Sequence, residues 1–378
     1  MEESKTVAAT LTKFPPCCLR IFRDKYILVG TYELDKPTGN RTGTVDVYDD
    51  ELVLVNSYPC YGAVLDLKLS PFDATLVISA HSTGNVMLWK VECESRLELK
   101  LIKNIQVFEI ETLITSLHFS PLKASTVLLT ATSGEAVTIN IETGDVTFSS
   151  NAVEAYYSKV ETKALNVQGI SESIVEQDSE PFSTKHSLEC WTGEFGALQP
   201  LADTVFTGGD DATIMGHDLR SHDVIWTNNR IHEAGVVGIK CSTQTFRTSK
   251  PTSIVTGSYD DQIRSFDFRM LGADSIYPGQ NIPVLNSQQL NLGGGVWRFS
   301  EAPINLQYEK DTLLVCCMYN GTKIVTINDL ETSNADEQFQ EIHYLKNGHD
   351  SMCYGGDWSS RFIATCSFYD KSLQKWNP

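Results

Sequence analysis

Short alternating runs of apolar and polar residues, broken by tight turns, recur along the chain. Ala63-Val64-Leu65-Asp66-Leu67-Lys68-Leu69 alternates and ends in Ser70-Pro71, and Ile114-Thr115-Ser116-Leu117-His118-Phe119 ends in Ser120-Pro121. Period-two alternation of this length predicts half-buried strands. The clearest unit is Thr256-Gly257-Ser258-Tyr259-Asp260-Asp261-Gln262-Ile263-Arg264-Ser265-Phe266-Asp267. It reads as strand, turn and strand, with Asp260 and Asp261 at the turn and Phe266 closing. The same hairpin is readable with anchors at positions 42, 83, 133, 211, 260, 320 and 370, so the intervals are 41, 50, 78, 49, 60 and 50. Most lie near the ~40–45-residue period of a four-stranded propeller blade, lengthened by loops. The pattern predicts an all-β fold, a seven-bladed WD-repeat β-propeller. The last hairpin ends at Trp376, two residues before the end of the sequence, and its blade lacks an outer strand. Thr6–Leu11, ahead of the first copy, is apolar and β-leaning, and is predicted to supply it.

Length alone would allow two domains, but the repeat makes 1–378 a single ring. The long interval after Ser133 holds an acidic insertion at about 151–185, with six acidic residues against three lysines and a possible strand near 164–167. The rest of it reads as solvated loop. No apolar run reaches the ~18 residues of a membrane span, and none follows Met1–Lys5 as a signal peptide would require. Ten cysteines include no Cys-x-x-Cys pair, and Cys190, Cys241, Cys316, Cys317 and Cys366 fall inside predicted strands. They read as buried free thiols in a reducing, cytoplasmic setting, with no metal expected. The net charge of −18 argues against nucleic acid as a direct partner. It suits either a basic protein surface or simple solubility. Nothing calls for a cofactor, and a monomer is expected.

Blades four to seven open on His186-Ser187-Leu188-Glu189-Cys190-Trp191, His232-Glu233-Ala234-Gly235-Val236, Gly293-Gly294-Gly295-Val296-Trp297-Arg298 and His349-Asp350-Ser351-Met352-Cys353-Tyr354. All four openings are expected on one rim. By register His186 pairs with Asp211, His232 with Asp260 and His349 with Asp370, a structural use of histidine in such repeats. The closing positions Phe266 and His217 leave the fifth and fourth networks incomplete. The repeat does not require Glu189, Trp191, Asp210, Trp297, Arg298, Tyr354, Asp357 or Tyr369. Their bland readings are inner-strand packing for the Trp residues and a channel salt bridge for Arg298 and Asp357. The glycine run could offer N–H groups to an oxyanion, or only permit close backbone approach. No Gly-x-Ser-x-Gly elbow, Walker A or His-Glu-x-x-His is present.

Several phrases go beyond a generic repeat. Gly208-Gly209-Asp210-Asp211, His232, Thr256–Asp260, Gly294-Gly295-Val296-Trp297-Arg298, Tyr354-Gly355-Gly356-Asp357-Trp358 and Cys366-Ser367-Phe368-Tyr369-Asp370 together resemble the diphthine methyl esterase family of the diphthamide pathway, as a fungal member, over nearly the whole chain. The resemblance implies hydrolysis of a methyl ester on methylated diphthine of translation elongation factor 2, the protein partner. It supplies no catalytic set. Ester hydrolysis needs an activated nucleophile and a stabilised oxyanion. His232 or His186, held by Asp260 or Asp211, is the expected base for a water. Arg298 or the N–H groups around Gly294 and Gly295 would steady the oxyanion. Glu189, Asp210 and Asp357 would hold the trimethylammonium, with cation–π contact from Trp191, Trp297 or Tyr354. A nucleophilic Cys353 or Cys366 is the competing mechanism. The competing function is a non-catalytic scaffold that recruits another protein.

Overall fold

The strands group into seven blade sheets in the computed structural model, which describes residues 2–93, 95–143, 181–267, 279–306, 308, 311–328 and 339–378. In each blade the three inner strands follow chain order from the axis outward and pair antiparallel. Blade one is Pro16–Phe22, Tyr26–Thr31, Thr44–Asp49 and Leu54–Pro59. A small extra hairpin, Glu33–Leu34 with Arg41–Thr42, sits between its second and third strands. Most of the acidic insertion, including the strand expected near 164–167, lies outside the described residues.

The ring closes as the alternation predicted. Lys5–Leu11 pairs antiparallel with Ser372–Asn377, with Thr6 opposite Trp376 and Leu11 opposite Ser372. Glu2–Glu3 continues onto the neighbouring blade, parallel to Phe339–Leu345. The first residues of the chain therefore tie blades six and seven together. Between blades the cores are β-branched and aromatic: Trp226, Trp376 and Phe266 are all but inaccessible to solvent.

One irregularity of the inner strands positions the site. In six blades the pairing between the first and second strands slips by one residue at the same place, at Cys17, Leu65, Thr115, Trp191, Val237 and Tyr354. In blade six Trp297 holds the equivalent position, with its N–H bonded to Cys316 O just ahead of the strand Arg298–Glu301. A bulge leaves its extra residue unpaired and re-aims that side chain. Three of the seven bulge positions carry large aromatic residues, all at one end of the central channel.

Candidate functional site

The aromatic side chains form a continuous cluster on the rim of blades four to seven. Trp297 lies 5.8 Å from Trp191, 5.9 Å from Tyr259 and 5.0 Å from Tyr354, centroid to centroid. Phe368 extends the cluster toward Tyr32 and Tyr369. Trp191 donates its indole N–H to Asp210 Oδ1 at 3.0 Å, and Asp210 N donates to Glu189 O. An aromatic cluster with carboxylates at its edge is the arrangement that recognises quaternary ammonium groups. Glu189, Trp191, Asp210, Trp297 and Tyr354 therefore come together, as does Tyr259, which the sequence does not single out as a site residue. The glycines before Trp297 serve close approach. A Cβ on Gly294 would meet Cys317 O at 2.2 Å, and one on Gly295 would meet Met318 Sδ at 2.5 Å.

Below the cluster runs the central channel, about 520 Å³, lined among others by Trp297 and Arg298. The Arg298 guanidinium stacks on the Trp297 ring at 5.1 Å and donates to Thr115 O at 3.0 Å across the channel. No carboxylate pairs with it among the described residues, so the salt bridge to Asp357 is not made. Asp357 is committed elsewhere: Oδ2 accepts from Ile21 N at 2.8 Å and Oδ1 from Ser300 Oγ at 2.9 Å. The inner strand of a blade presents unpaired N–H groups along its free edge, and these need acceptors. Asp357 satisfies one on blade one, as Asp66 does for Leu117 N on blade three. Its place deep in the channel separates it from Glu189 and Asp210 on the rim.

The blade-opening histidines do not reach the channel. His186 is 2% exposed, with Nδ1 2.9 Å from Asp211 Oδ1 and Nε2 2.9 Å from Thr207 Oγ1. Burial disfavours its imidazolium, but Cys190 and Asp211 outweigh that and push the group up to about 10. His217 completes this network at Thr207 Oγ1, in the place of the expected tryptophan, so the network is not truncated. In blade five His232 Nε2 meets Thr256 Oγ1 at 3.0 Å, while Nδ1 accepts from Arg264 at 2.8 Å. Arg264 also donates to both oxygens of Asp260, so His232 and Asp260 are joined through an arginine at 3.8 Å rather than directly. Burial lowers the His232 pKa. Both nitrogens of His186 and His232 are engaged and the rings are enclosed, so these residues and Asp260 sit within the turn networks of their own blades. His349 differs again: Gln374 donates to its Nδ1, and Asp370 accepts from Asp350 N instead. All ten cysteines are free. Cys353 and Cys366 are inaccessible, and burial raises both thiols well above their ordinary value, the opposite of an activated nucleophile.

Apart from Arg298 and Asp357, the polar residues of the channel are not singled out by the motifs. Three residues after each bulge, at equivalent register, stand Arg20, Lys68, His118, Glu194, Lys240, Ser300 and Asp357, and all seven line the channel. His118 Nδ1 is 3.9 Å from Glu194 Oε2, and its Nε2 is 3.2 Å from Ser116 Oγ. Burial, then the charge of Lys68, keeps His118 well below the usual histidine range, so it is neutral. Lys240 forms a 2.6 Å pair with Glu301. The available signal was charge at the polar positions of innermost strands, where a blade needs none for packing. The alternations at Lys68 and His118 displayed it, but the motifs drew attention to the turns.

No family model matches the chain. Over 387 residues it is 57% identical to diphthine methyltransferase of Saccharomyces cerevisiae, covering 100% of this chain and 99% of that protein. It is 31% identical to diphthine methyltransferase of Schizosaccharomyces pombe over 368 residues, 94% of this chain and 92% of that one. Among solved structures, a chain of a mitotic checkpoint complex superposes with a TM-score of 0.64 at 12% identity, covering 100% of this chain and 93% of that one. At that identity the likeness concerns the propeller fold alone. Among the described residues no helix is long and apolar enough to cross a membrane.

Proposed function

The chain belongs to the diphthine methyltransferase family, and from that premise we propose that it hydrolyses the methyl ester of methylated diphthine on translation elongation factor 2. The products are methanol and the free carboxylate. The relatives' name describes methyl chemistry on diphthine, and hydrolysis is the finer reading. The observation that carries it is the aromatic mouth of Trp191, Trp297 and Tyr354, edged by Asp210 and opening beside Arg298. It offers a trimethylammonium site and an oxyanion donor side by side, the two charged features that distinguish this ester at its transition state.

In this reading the trimethylammonium rests on the aromatic faces, with Asp210 and Glu189 at the edge. The ester carbonyl lies below, toward the Arg298 guanidinium. A channel water attacks the carbonyl carbon. His118, neutral and backed by Glu194, takes the proton from that water and returns it to the methoxide as the C–O bond breaks. Arg298 balances the negative charge that develops on the carbonyl oxygen. Burial, aided by the charges of Lys68 and Lys240, keeps His118 in the base form.

The test is methanol release by the purified protein from methylated-diphthine elongation factor 2, with no other protein present, run in ¹⁸O-water. Catalytic release with the label in the product carboxylate supports acyl–oxygen hydrolysis by this chain. Tight binding of the factor with no release would overturn it and leave an adaptor.

A further inference from the structure

The channel walls are not balanced in charge. On the side of blades four to six, Lys240 lies between Glu194 and Glu301, and both carboxylates raise its pKa against burial. On the side of blades one and two, Arg20 and Lys68 line the channel with Arg298 above them. Among the described residues, the carboxylates there are Asp66 and Asp357. Both are already spoken for: Asp66 by Lys68 Nζ at 2.8 Å and the N–H groups of Leu67 and Leu117, Asp357 by Ile21 N and Ser300 Oγ. Arg20, Lys68 and Arg298 line the same cavity, and although burial would raise the Asp66 carboxyl, Lys68, Arg298 and Arg20 together hold it well below the usual range. Arg20 has no carboxylate partner among the described residues, and NH1 donates only to its own Leu19 O. Two guanidinium groups thus line a cavity with donors to spare, in a chain whose net charge is −18.

We propose that Arg20 and Lys68 on the blade-one and blade-two wall of the channel, with Arg298 from blade six, form a binding site for a small oxyanion, a carboxylate or phosphate, below the aromatic mouth. Guanidinium groups with free N–H donors in a partly desolvated cavity bind such groups by charge-assisted hydrogen bonds. Leaving the two guanidinium charges there without a carboxylate partner is costly. The site goes beyond ester hydrolysis, because it requires no ester. Its occupant is either the carboxylate of a protein-borne product or a free small anion.

The probe is inorganic phosphate, with acetate as a second anion, titrated into the full-length protein at constant ionic strength against potassium chloride. The expected result is a saturable rise in melting temperature specific to the oxyanions, with affinity weakened about tenfold in Arg20→Gln. Lys68→Gln should weaken it similarly. Arg20→Gln is the safer variant, because it leaves every ion pair intact. A phosphate response no different from chloride would overturn the site, as would one unchanged in Arg20→Gln. A second arm separates the sources by comparing a peptide bearing the free diphthine carboxylate with its methyl ester. Tighter binding of the free acid, abolished in Arg20→Gln, assigns the site to the product. Equal binding, with the phosphate response intact, keeps the site and assigns it to a free anion. Neither arm measures turnover, so failure of the esterase reading leaves this result standing.

Discussion

His232 in the blade-five turn network and His118 in the channel are both buried histidines near a carboxylate, yet they differ in spare hydrogen-bonding capacity and in access. His232 spends both nitrogens, one on Thr256 and one on Arg264, and its carboxylate Asp260 spends itself on the same arginine. Such a closed network fixes a loop against a strand and has nothing left to offer a ligand. His118 has a looser shell, with Ser116 at 3.2 Å and Glu194 at 3.9 Å, and it borders a cavity. The difference teaches that a His–Asp pair is judged by its spare valence and access rather than by its resemblance to a catalytic pair.

The comparison breaks most sharply in kinetics. His118→Ala should lower methanol release by about 10²–10⁴-fold, the range of a lost general base, with the melting curve little changed. If His232→Ala lost as much activity per folded molecule and His118→Ala none, the two roles would have to be exchanged. Arg298→Ala should cost about 10²–10³-fold in kcat, as for a lost oxyanion donor. Near-normal kcat in that variant would remove Arg298 from the transition state.

Stability sharpens the other side. Asp260→Ala strands Arg264 beside His232, and breaking a buried pair from one side costs about 3–5 kcal/mol. Urea unfolding should show that loss, while the folded fraction keeps its turnover. The blade-four pair titrates. The His186 pKa is raised to about 10 in the fold from near 6.5 unfolded, so the folded state binds the extra proton between those values. Its contribution is complete below about pH 6.5 and disappears as pH rises through about 10. The difference in melting temperature between the wild type and Asp211→Asn should therefore shrink across that window; a constant difference would mean His186 is neutral. The smallest effect belongs to the mouth. Trp191→Ala should raise KM by about 2–30-fold, the worth of one cation–π contact at ~0.5–2 kcal/mol, with kcat nearly unchanged.

Strand alternation, turn residues and the closing aromatics were enough to place seven blades and the strand that locks the ring. Each of those signals is local: a hairpin is specified within about a dozen residues by its own turn and pleat. The rim aromatics were legible for the same reason, standing at blade openings where the repeat does not ask for them. The pairing of His349 was not, because Gln374 lies closer in space than the turn carboxylate Asp370 that register suggested. Nor was Arg264, which looked like an ordinary strand position and became the centre of the fifth network.

The sequence by itself determined the repeat, its number and its closure, because backbone hydrogen bonding and burial act at short range along the chain. Only the tertiary structure decided the channel. Arg20, Lys68, His118, Glu194, Lys240, Ser300 and Asp357 stand on seven different strands and meet because every inner strand approaches one axis. A shared one-residue bulge turns Trp191 and Tyr354 to its mouth, with Trp297 in the matching position on blade six. Charge and access at that axis are sums over all the blades, and no single repeat contains them.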